Sequence, residues 1–174
     1  MKYFFIFIFA LCYIVFNTNI GYTCTSPLWT HFTFQFQHAG IFHLIINSLS
    51  FICMFHLMQK FVNRWLLSVS IIASGFTASF LSMYSIPTVG ASAMIYAMVG
   101  MFFSMLAFCP NIKIICKKKF AVFVVGVVAG LSISALKGSS NFLLHVCSLA
   151  IGGIFGTVIA ISGRDNKKVI LHPS

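Results

Sequence analysis

Six long apolar runs dominate this sequence, and each is about as long as a helix that crosses a lipid bilayer. They are Tyr3–Ile20, Ile41–Met58, Trp65–Tyr84, Ala91–Cys109, Phe120–Leu136 and Phe142–Ile161. A membrane helix needs about 20 apolar residues, with a range of about 17–25. Because no long polar segment interrupts the runs, the sequence predicts an all-α membrane protein. Residues 1–174 are expected to form a single domain of six transmembrane helices.

Charged residues are too scarce for a soluble domain. They make up 7% of the chain, whereas hydrophobic residues make up 60%. A surface in contact with water carries several times that charge. The net charge of +10 could indicate nucleic-acid binding, but the basic residues lie in short loops between the apolar runs. They therefore predict control of membrane topology and contact with the lipid bilayer, with no nucleic-acid partner.

The basic residues are distributed unevenly between the two ends of the predicted helices. One end carries all of them except Lys137, namely Lys2, Lys60, Arg64, Lys113, Lys117, Lys118, Lys119, Arg164, Lys167 and Lys168. Basic loops stay in the cytoplasm, so both termini are expected there. The second, fourth and sixth spans then run from outside to inside. In a bacterium the protein would lie in the plasma (inner) membrane.

The first apolar run has an alternative interpretation as a secretory signal peptide, because Lys2 precedes it. The run is long for the apolar part of such a peptide. Residues Asn17–Asn19 also form a poor cleavage context. A retained first span is therefore expected.

Polar side chains are costly inside a membrane span and usually face the interior of the bundle. Here they open the three inward-running spans: His38, His43 and Asn47 on the second, Ser92 and Tyr96 on the fourth, and His145 on the sixth. Spacings of four residues place His43 with Asn47, and Ser92 with Tyr96, on common helix faces. The polar side chains are thus expected to gather in the outer half of the membrane.

These residue types match the needs of nucleophilic catalysis. A serine becomes a nucleophile when a base such as histidine removes its proton. Asn47, His43 and backbone N–H groups could stabilise an oxyanion. The only acidic residue, Asp165, is expected across the membrane from Ser92 and His145, so a hydrolase here would use a Ser–His dyad. Tyr96 could pack on the His145 ring and fix its orientation.

Structural interpretations of the same residues remain open at this point. Ser92 could bond to its own helix backbone, His145 could form an interhelical hydrogen bond, and Tyr96 could simply pack. His31, His56 and His172 are interpreted as structural residues at interfaces or in the tail. Two GxxxG spacings, Gly126–Gly130 and Gly152–Gly156, predict close helix contacts.

Three motifs in order resemble those of the rhomboid family of intramembrane serine proteases. Residues 38–47, HAGIFHLIIN, resemble its second-span signature; residues 90–97, GASAMIYA, resemble its nucleophile motif GxSGxxYA; and residues 144–152 resemble AHxxGxxxG. Trp29, Phe32 and Thr33 resemble its aromatic first external loop. The resemblance implies a six-helix rhomboid-like bundle without a cofactor or metal, acting on single-span membrane proteins.

The resemblance also implies roles for individual residues. Ser92 would be the nucleophile and His145 the general base, while His43, Asn47 and the Ser92 N–H would stabilise the oxyanion. Tyr96 would stack on His145, and His38 would be structural or lie near a water-accessible cavity. The chain departs from the family motifs at four positions, which are Thr30, Ala93, Leu144 and Ser148.

Two other functions remain possible from the sequence. One is a catalytically inactive rhomboid-like protein that binds membrane clients, although such proteins usually lack the serine or the histidine. The other is a transporter or metal site built on His38, His43 and His145. The sequence has no HExxH motif and no intramembrane acid to neutralise a divalent ion.

Overall fold

The computed structural model describes residues 1–16, 20–109, 117–136 and 140–165. Its helices are α1 (Lys2–Phe16), α2 (Thr30–Thr33), α3 (Ile41–Met58), α4 (Arg64–Leu81), α5 (Ser92–Phe108), α6 (Lys117–Leu136) and α7 (Phe142–Asp165). A 3-10 turn, Phe34–Phe36, follows α2. Within the described ranges, β-pairing is limited to one bridge between Tyr22 and Thr88. The predicted all-α class is confirmed.

Three helices are long and apolar enough to cross a membrane, namely Ile41–Met58, Arg64–Leu81 and the Phe142–Ser162 part of α7. The other three predicted spans correspond to shorter apolar helices, Lys2–Phe16, Ser92–Phe108 and Phe120–Leu136. The end of the first predicted run, at residues 17–19, lies outside the described residues. These apolar helices support the prediction of an integral membrane protein.

The predicted helix limits agree with the structure to within a few residues. Both ends of α3 are as predicted. Helix α4 begins at Arg64, one residue early, because the Asn63 side chain accepts a hydrogen bond from the Trp65 N–H at 2.9 Å. Such a cap satisfies an N–H that has no partner within the helix.

Helices α5 and α7 form the most extensive helix pair, and glycine makes it possible. Gly152 lies against the Ala97 backbone and Gly100 against the Leu149 carbonyl. A methyl group added at Gly156 would lie 2.7 Å from the Met101 Cα atom. Because positions 97 and 101 face 152 and 156, the two helices run parallel. The close contact predicted for Gly152–Gly156 is confirmed.

The other GxxxG pair does not behave as predicted. A methyl group at Gly126 would meet no atom within 4 Å, so this glycine is not at a close helix contact. Gly130 instead faces a side chain, since its added methyl would lie 2.8 Å from the Tyr96 hydroxyl. The spacing alone does not say which face of α6 is packed.

The segment before α3 is hydrogen-bonded to the loop before α5. Tyr22 and Thr88 exchange two backbone hydrogen bonds, of 3.2 and 2.9 Å. His31 is buried here, in contacts that fit the structural role expected for it. Its ring stacks between Tyr22 and Phe80, and its Nδ1 lies 2.9 Å from the Ser79 hydroxyl.

Helix α1 completes the bundle by packing on α3. Phe5 and Phe9 are buried against Phe51, with ring centroids 5.0 and 5.4 Å apart. The Lys2 amine lies 3.4 Å from Nδ1 of His56, near the C-terminal end of α3. Helices α1 and α3 therefore run antiparallel.

Candidate active site

Ser92 is the first residue of α5, and the backbone before it is held in an unusual conformation. Gly90 has φ of +130°, which favours glycine. Its N–H donates to the Phe34 carbonyl at 2.9 Å, so the segment before α3 fixes the approach to the helix. The first N–H groups of a helix have no acceptor within it, and the helix dipole favours negative charge there. Ser92 thus lies at an end suited to an anion.

His145 lies in the first turn of α7, whose start is anchored by Asn141. The Asn141 side-chain oxygen accepts a hydrogen bond from the Leu144 N–H at 3.1 Å and so caps the helix. Its amide donates to the Ser82 carbonyl at 2.9 Å and to the Tyr22 hydroxyl at 3.0 Å. Asn141 is buried, and it joins the start of α7 to the end of α4. The sequence reasoning missed this residue, although Asn before an apolar run is a helix-start signal.

The parallel arrangement of α5 and α7 brings Ser92 and His145 together. His145 Nε2 lies 2.9 Å from Ser92 Oγ, within hydrogen-bond distance. The Tyr96 ring stacks on the His145 ring with centroids 4.6 Å apart and an angle of 29°. Both contacts are those expected from the sequence, while the chemical roles of the three residues remain predictions.

His43 and Asn47 lie beside the backbone that leads into Ser92. A methyl group added at Gly90 would lie 2.9 Å from His43 Cε1 and 3.2 Å from Asn47 Nδ2. Asn47 is buried, and its Nδ2 has no hydrogen-bond partner among the described residues. An amide donor left unpaired in this way is costly unless water or a ligand accepts from it. Its position next to the Ser92 loop suits a donor to a bound oxygen.

His38 has a contact that supports the loop before α5. It precedes α3 and is buried, and its Nε2 accepts the Ala91 N–H at 3.5 Å. Its ring lies 5.3 Å from that of His43. Burial of the His38 ring, and to a smaller extent electrostatic interaction with His43, lowers the pKa of His38 to about 3. The ring is therefore neutral near pH 7, as an acceptor must be.

A second group of residues near His145 was not identified from the sequence. His145 Nδ1 lies 2.9 Å from the Ser134 hydroxyl of α6, which is itself 2.7 Å from the Ser140 hydroxyl. No local motif marks these serines, because their pairing with His145 depends on how α6 is rotated against α7.

Basic residues lie at the opposite end of the bundle from these side chains. Helix α3 starts near His43 and ends at Met58, so Lys60 and Arg64 follow at its far end. Asp165 ends α7, about 30 Å along the axis from His145 at 1.5 Å per residue. The polar site and the positive end are therefore separated by most of the bundle's length.

A protein-family profile covers most of the chain. Residues 25–162 match the profile of the Rhomboid domain. The chain belongs to the rhomboid family. A search of curated proteins found no match. The rhomboid match covers the site from His38 to His145 and begins after α1.

Three of the four departures from the rhomboid motifs, Ala93, Leu144 and Ser148, are buried in this structure. Ala93, in place of the motif glycine, is fully buried and packs with Tyr22 and Leu144. Leu144 is itself only 1% exposed. Ser148 is fully buried, and its hydroxyl has no hydrogen-bond partner among the described residues. The larger side chains are thus accommodated without separating Ser92 from His145.

Proposed function

We propose that this rhomboid-family protein is an intramembrane serine endopeptidase that cleaves transmembrane segments of single-span membrane proteins. The observation that carries the proposal is the 2.9 Å distance between His145 Nε2 and Ser92 Oγ. A nucleophile and a base within hydrogen-bond reach, with a third group orienting the base, form the arrangement of covalent catalysis. The Tyr96 ring on His145 supplies such an orienting contact.

The proposed reaction has two stages. His145 Nε2 takes the Ser92 proton as Ser92 Oγ bonds to the scissile carbonyl carbon, and the tetrahedral intermediate then loses the amine, which takes the proton from His145. An acyl-enzyme remains on Ser92. Water, deprotonated by the same His145, attacks the ester, and the proton returns to Ser92 as the acid product leaves.

The oxyanion of each tetrahedral intermediate would be held between α3 and α5. Asn47 Nδ2, His43 and the Ser92 N–H are the proposed donors. Support comes from the unpaired Asn47 amide and from the position of both side chains beside Gly90. Donors placed in advance stabilise developing charge without reorganising during the reaction.

The proposed membrane arrangement has six spans and cytoplasmic termini. The three shorter apolar helices would cross together with the three long ones, within a single domain of residues 1–174. The site would then open to the outer side, from which water enters. Helix carbonyls of a substrate are already hydrogen-bonded, so substrate segments that unwind easily are the expected targets.

Cleavage of a single-span reporter by purified protein in lipid vesicles tests this proposal. The reporter carries small, helix-weakening residues near the outer end of its span, and a matched reporter carries leucines there. We expect two fragments from the first reporter and fewer from the second. Stable binding of the reporter without cleavage would instead indicate a client-binding protein.

The Asn47→Ala variant is expected to cleave more slowly than the wild type without unfolding. Loss of one oxyanion donor typically lowers the rate about 10²–10³-fold, and less where other donors remain. The rate constant of reporter cleavage and the thermal midpoint are measured together. Ser50→Ala, also on α3, is the control. Wild-type turnover by Asn47→Ala on several reporters would remove Asn47 from the mechanism.

The proposed topology predicts which positions a membrane-impermeant thiol reagent can reach. Single cysteines replace Lys137 or Lys117 in a chain whose native cysteines are changed to serine or alanine. The reagent is expected to label position 137 from outside the cell and position 117 only after permeabilisation, because basic loops are retained in the cytoplasm. The reverse pattern would place the site on the cytoplasmic side.

A further inference from the structure

Ser134 of α6 connects His145 to a second hydroxyl group. Ser134 is 5% exposed. Its Oγ lies 2.9 Å from His145 Nδ1 and 2.7 Å from Ser140 Oγ. The other imidazole nitrogen, Nε2, faces Ser92. The imidazole is therefore held between hydroxyl groups from two different helices.

Serines in this bundle bond either within their own helix or across a helix interface, as Ser104 of α5 does in donating to the Gly153 carbonyl of α7 at 2.7 Å. Ser68, Ser74 and Ser82 each donate to the carbonyl four residues earlier in their own helix, at 2.7 to 2.8 Å. That local bond is the usual partner of a serine within a helix. The hydroxyl of Ser134 instead lies between α6 and α7, where it bonds across the interface.

The face of α6 that carries Ser134 also contacts Tyr96. Gly130 lies one turn before Ser134, and a methyl group there would lie 2.8 Å from the Tyr96 hydroxyl. Tyr96 in turn stacks on His145. One face of α6 thus supports both the ring of His145 and the ring stacked on it.

We propose that Ser134 is a positioning residue that sets the tautomer of His145, and that Ser140 sets the direction of the Ser134 hydroxyl. The inference rests on the proposed function for its effect on cleavage. A neutral histidine accepts the Ser92 proton only if Nε2 is unprotonated, so its proton must be on Nδ1. Ser134 Oγ accepts that Nδ1–H, and the Ser134 O–H donates to Ser140.

In this proposal the Ser134 hydroxyl occupies the position relative to the histidine that a carboxylate occupies in a Ser-His-Asp triad. In that triad the third residue keeps the imidazole in the correct tautomer and stabilises the imidazolium. The sole acidic residue of this chain, Asp165, lies at the far end of α7. A hydroxyl can accept the Nδ1–H in the same way, although it adds no negative charge.

Steady-state kinetics of reporter cleavage provide the first test. Ser134→Ala is expected to lower kcat roughly 10- to 100-fold, the effect of losing a hydrogen bond to a group that becomes charged, with KM little changed. Ser134→Thr keeps the hydroxyl and is expected to restore most of the rate. Ser132→Ala, exposed on the same helix, is the control. Equal rates for Ser134→Ala and Ser132→Ala would overturn the inference.

Nitrogen-15 NMR of histidine-labelled full-length protein provides a second readout that does not depend on cleavage. The His145 signals are assigned by their loss in His145→Ala. We expect a proton on Nδ1 in the wild type and a mixture of tautomers in Ser134→Ala. If the wild type does not cleave, this spectrum still tests the role of Ser134. Failure of the proposed function can therefore be distinguished from failure of the inference about Ser134.

The Ser140→Ala variant tests the direction of the hydrogen bonds from His145 through Ser134 to Ser140, and it leaves Ser134 in place. Without Ser140 as acceptor, the Ser134 hydroxyl can donate to Nδ1 and favour the unproductive tautomer. A shift toward a proton on Nε2, smaller than in Ser134→Ala, is expected even if Ser134→Ala does not fold. The same Nδ1–H tautomer in every folded variant would contradict the proposal.

Discussion

Replacement of either Ser92 or His145 by alanine is expected to abolish cleavage of a single-span reporter while the folded protein still accumulates. Each variant lacks one partner of the 2.9 Å pair that we propose carries out proton transfer and attack. Residues that act as one unit are strongly non-additive, so the double variant should be no slower than either single variant. Reporter fragments are quantified in vesicles, with thermal midpoints measured on the same preparations.

Asp165→Asn is the matched control for the dyad. Residue 165 ends α7, about 30 Å along the helix axis from His145, which is too far for direct contact with the imidazole. Cleavage should therefore stay close to that of the wild type. Loss of cleavage in folded Asp165→Asn, or retained cleavage in Ser92→Ala, would contradict a dyad mechanism.

Gly152→Ala is expected to destabilise the bundle more than the same change at Gly126, Gly130, Gly153 or Gly156, the other glycines of α6 and α7 whose surroundings the structure describes. The new methyl would collide with the Ala97 backbone, which cannot move aside as a flexible side chain can. Overpacking typically costs about 1–3 kcal/mol, and helices α5 and α7 must separate to relieve it. Since these helices carry Ser92 and His145, cleavage should fall together with stability.

Gly126→Ala is the control, because it makes the same glycine-to-alanine change at a position with open space around it. A methyl there meets nothing within 4 Å, and alanine favours a helix by about 1 kcal/mol over glycine in water. Stability of both variants is measured by thermal unfolding in the same detergent, with cleavage rates alongside. Equal stability of Gly152→Ala and Gly126→Ala would show that the α5–α7 contact is looser than described.

The sequence predicted those parts of the fold that depend on position along a helix. Apolar run length located both ends of α3, and spacing placed Ser92 and His145 near the starts of α5 and α7. The similar depth of the two residues and the shared direction of their helices predicted that they would lie close together. Such features follow from local periodicity and charge asymmetry, which a single sequence records.

The sequence could not predict features that depend on how one helix is rotated against another. Ser134 meets His145, and Gly130 rather than Gly126 faces Tyr96, only because of the rotation of α6. The burial of His31 depends on how the segment before α3 folds, which places its ring against those of Tyr22 and Phe80. Asn141 was within reach of local reasoning as a helix cap, but its bonds to Ser82 and Tyr22 were not.

Covalent labelling by a fluorophosphonate probe tests the central claim most directly, because the probe reacts with a serine that is activated as a nucleophile. Detergent-solubilised protein is treated with the probe, digested and mapped by mass spectrometry. The account predicts one labelled peptide carrying the adduct on Ser92, with labelling lost in Ser92→Ala and in His145→Ala. Folded wild-type protein that stays unlabelled, or an adduct on a different serine, would contradict the account.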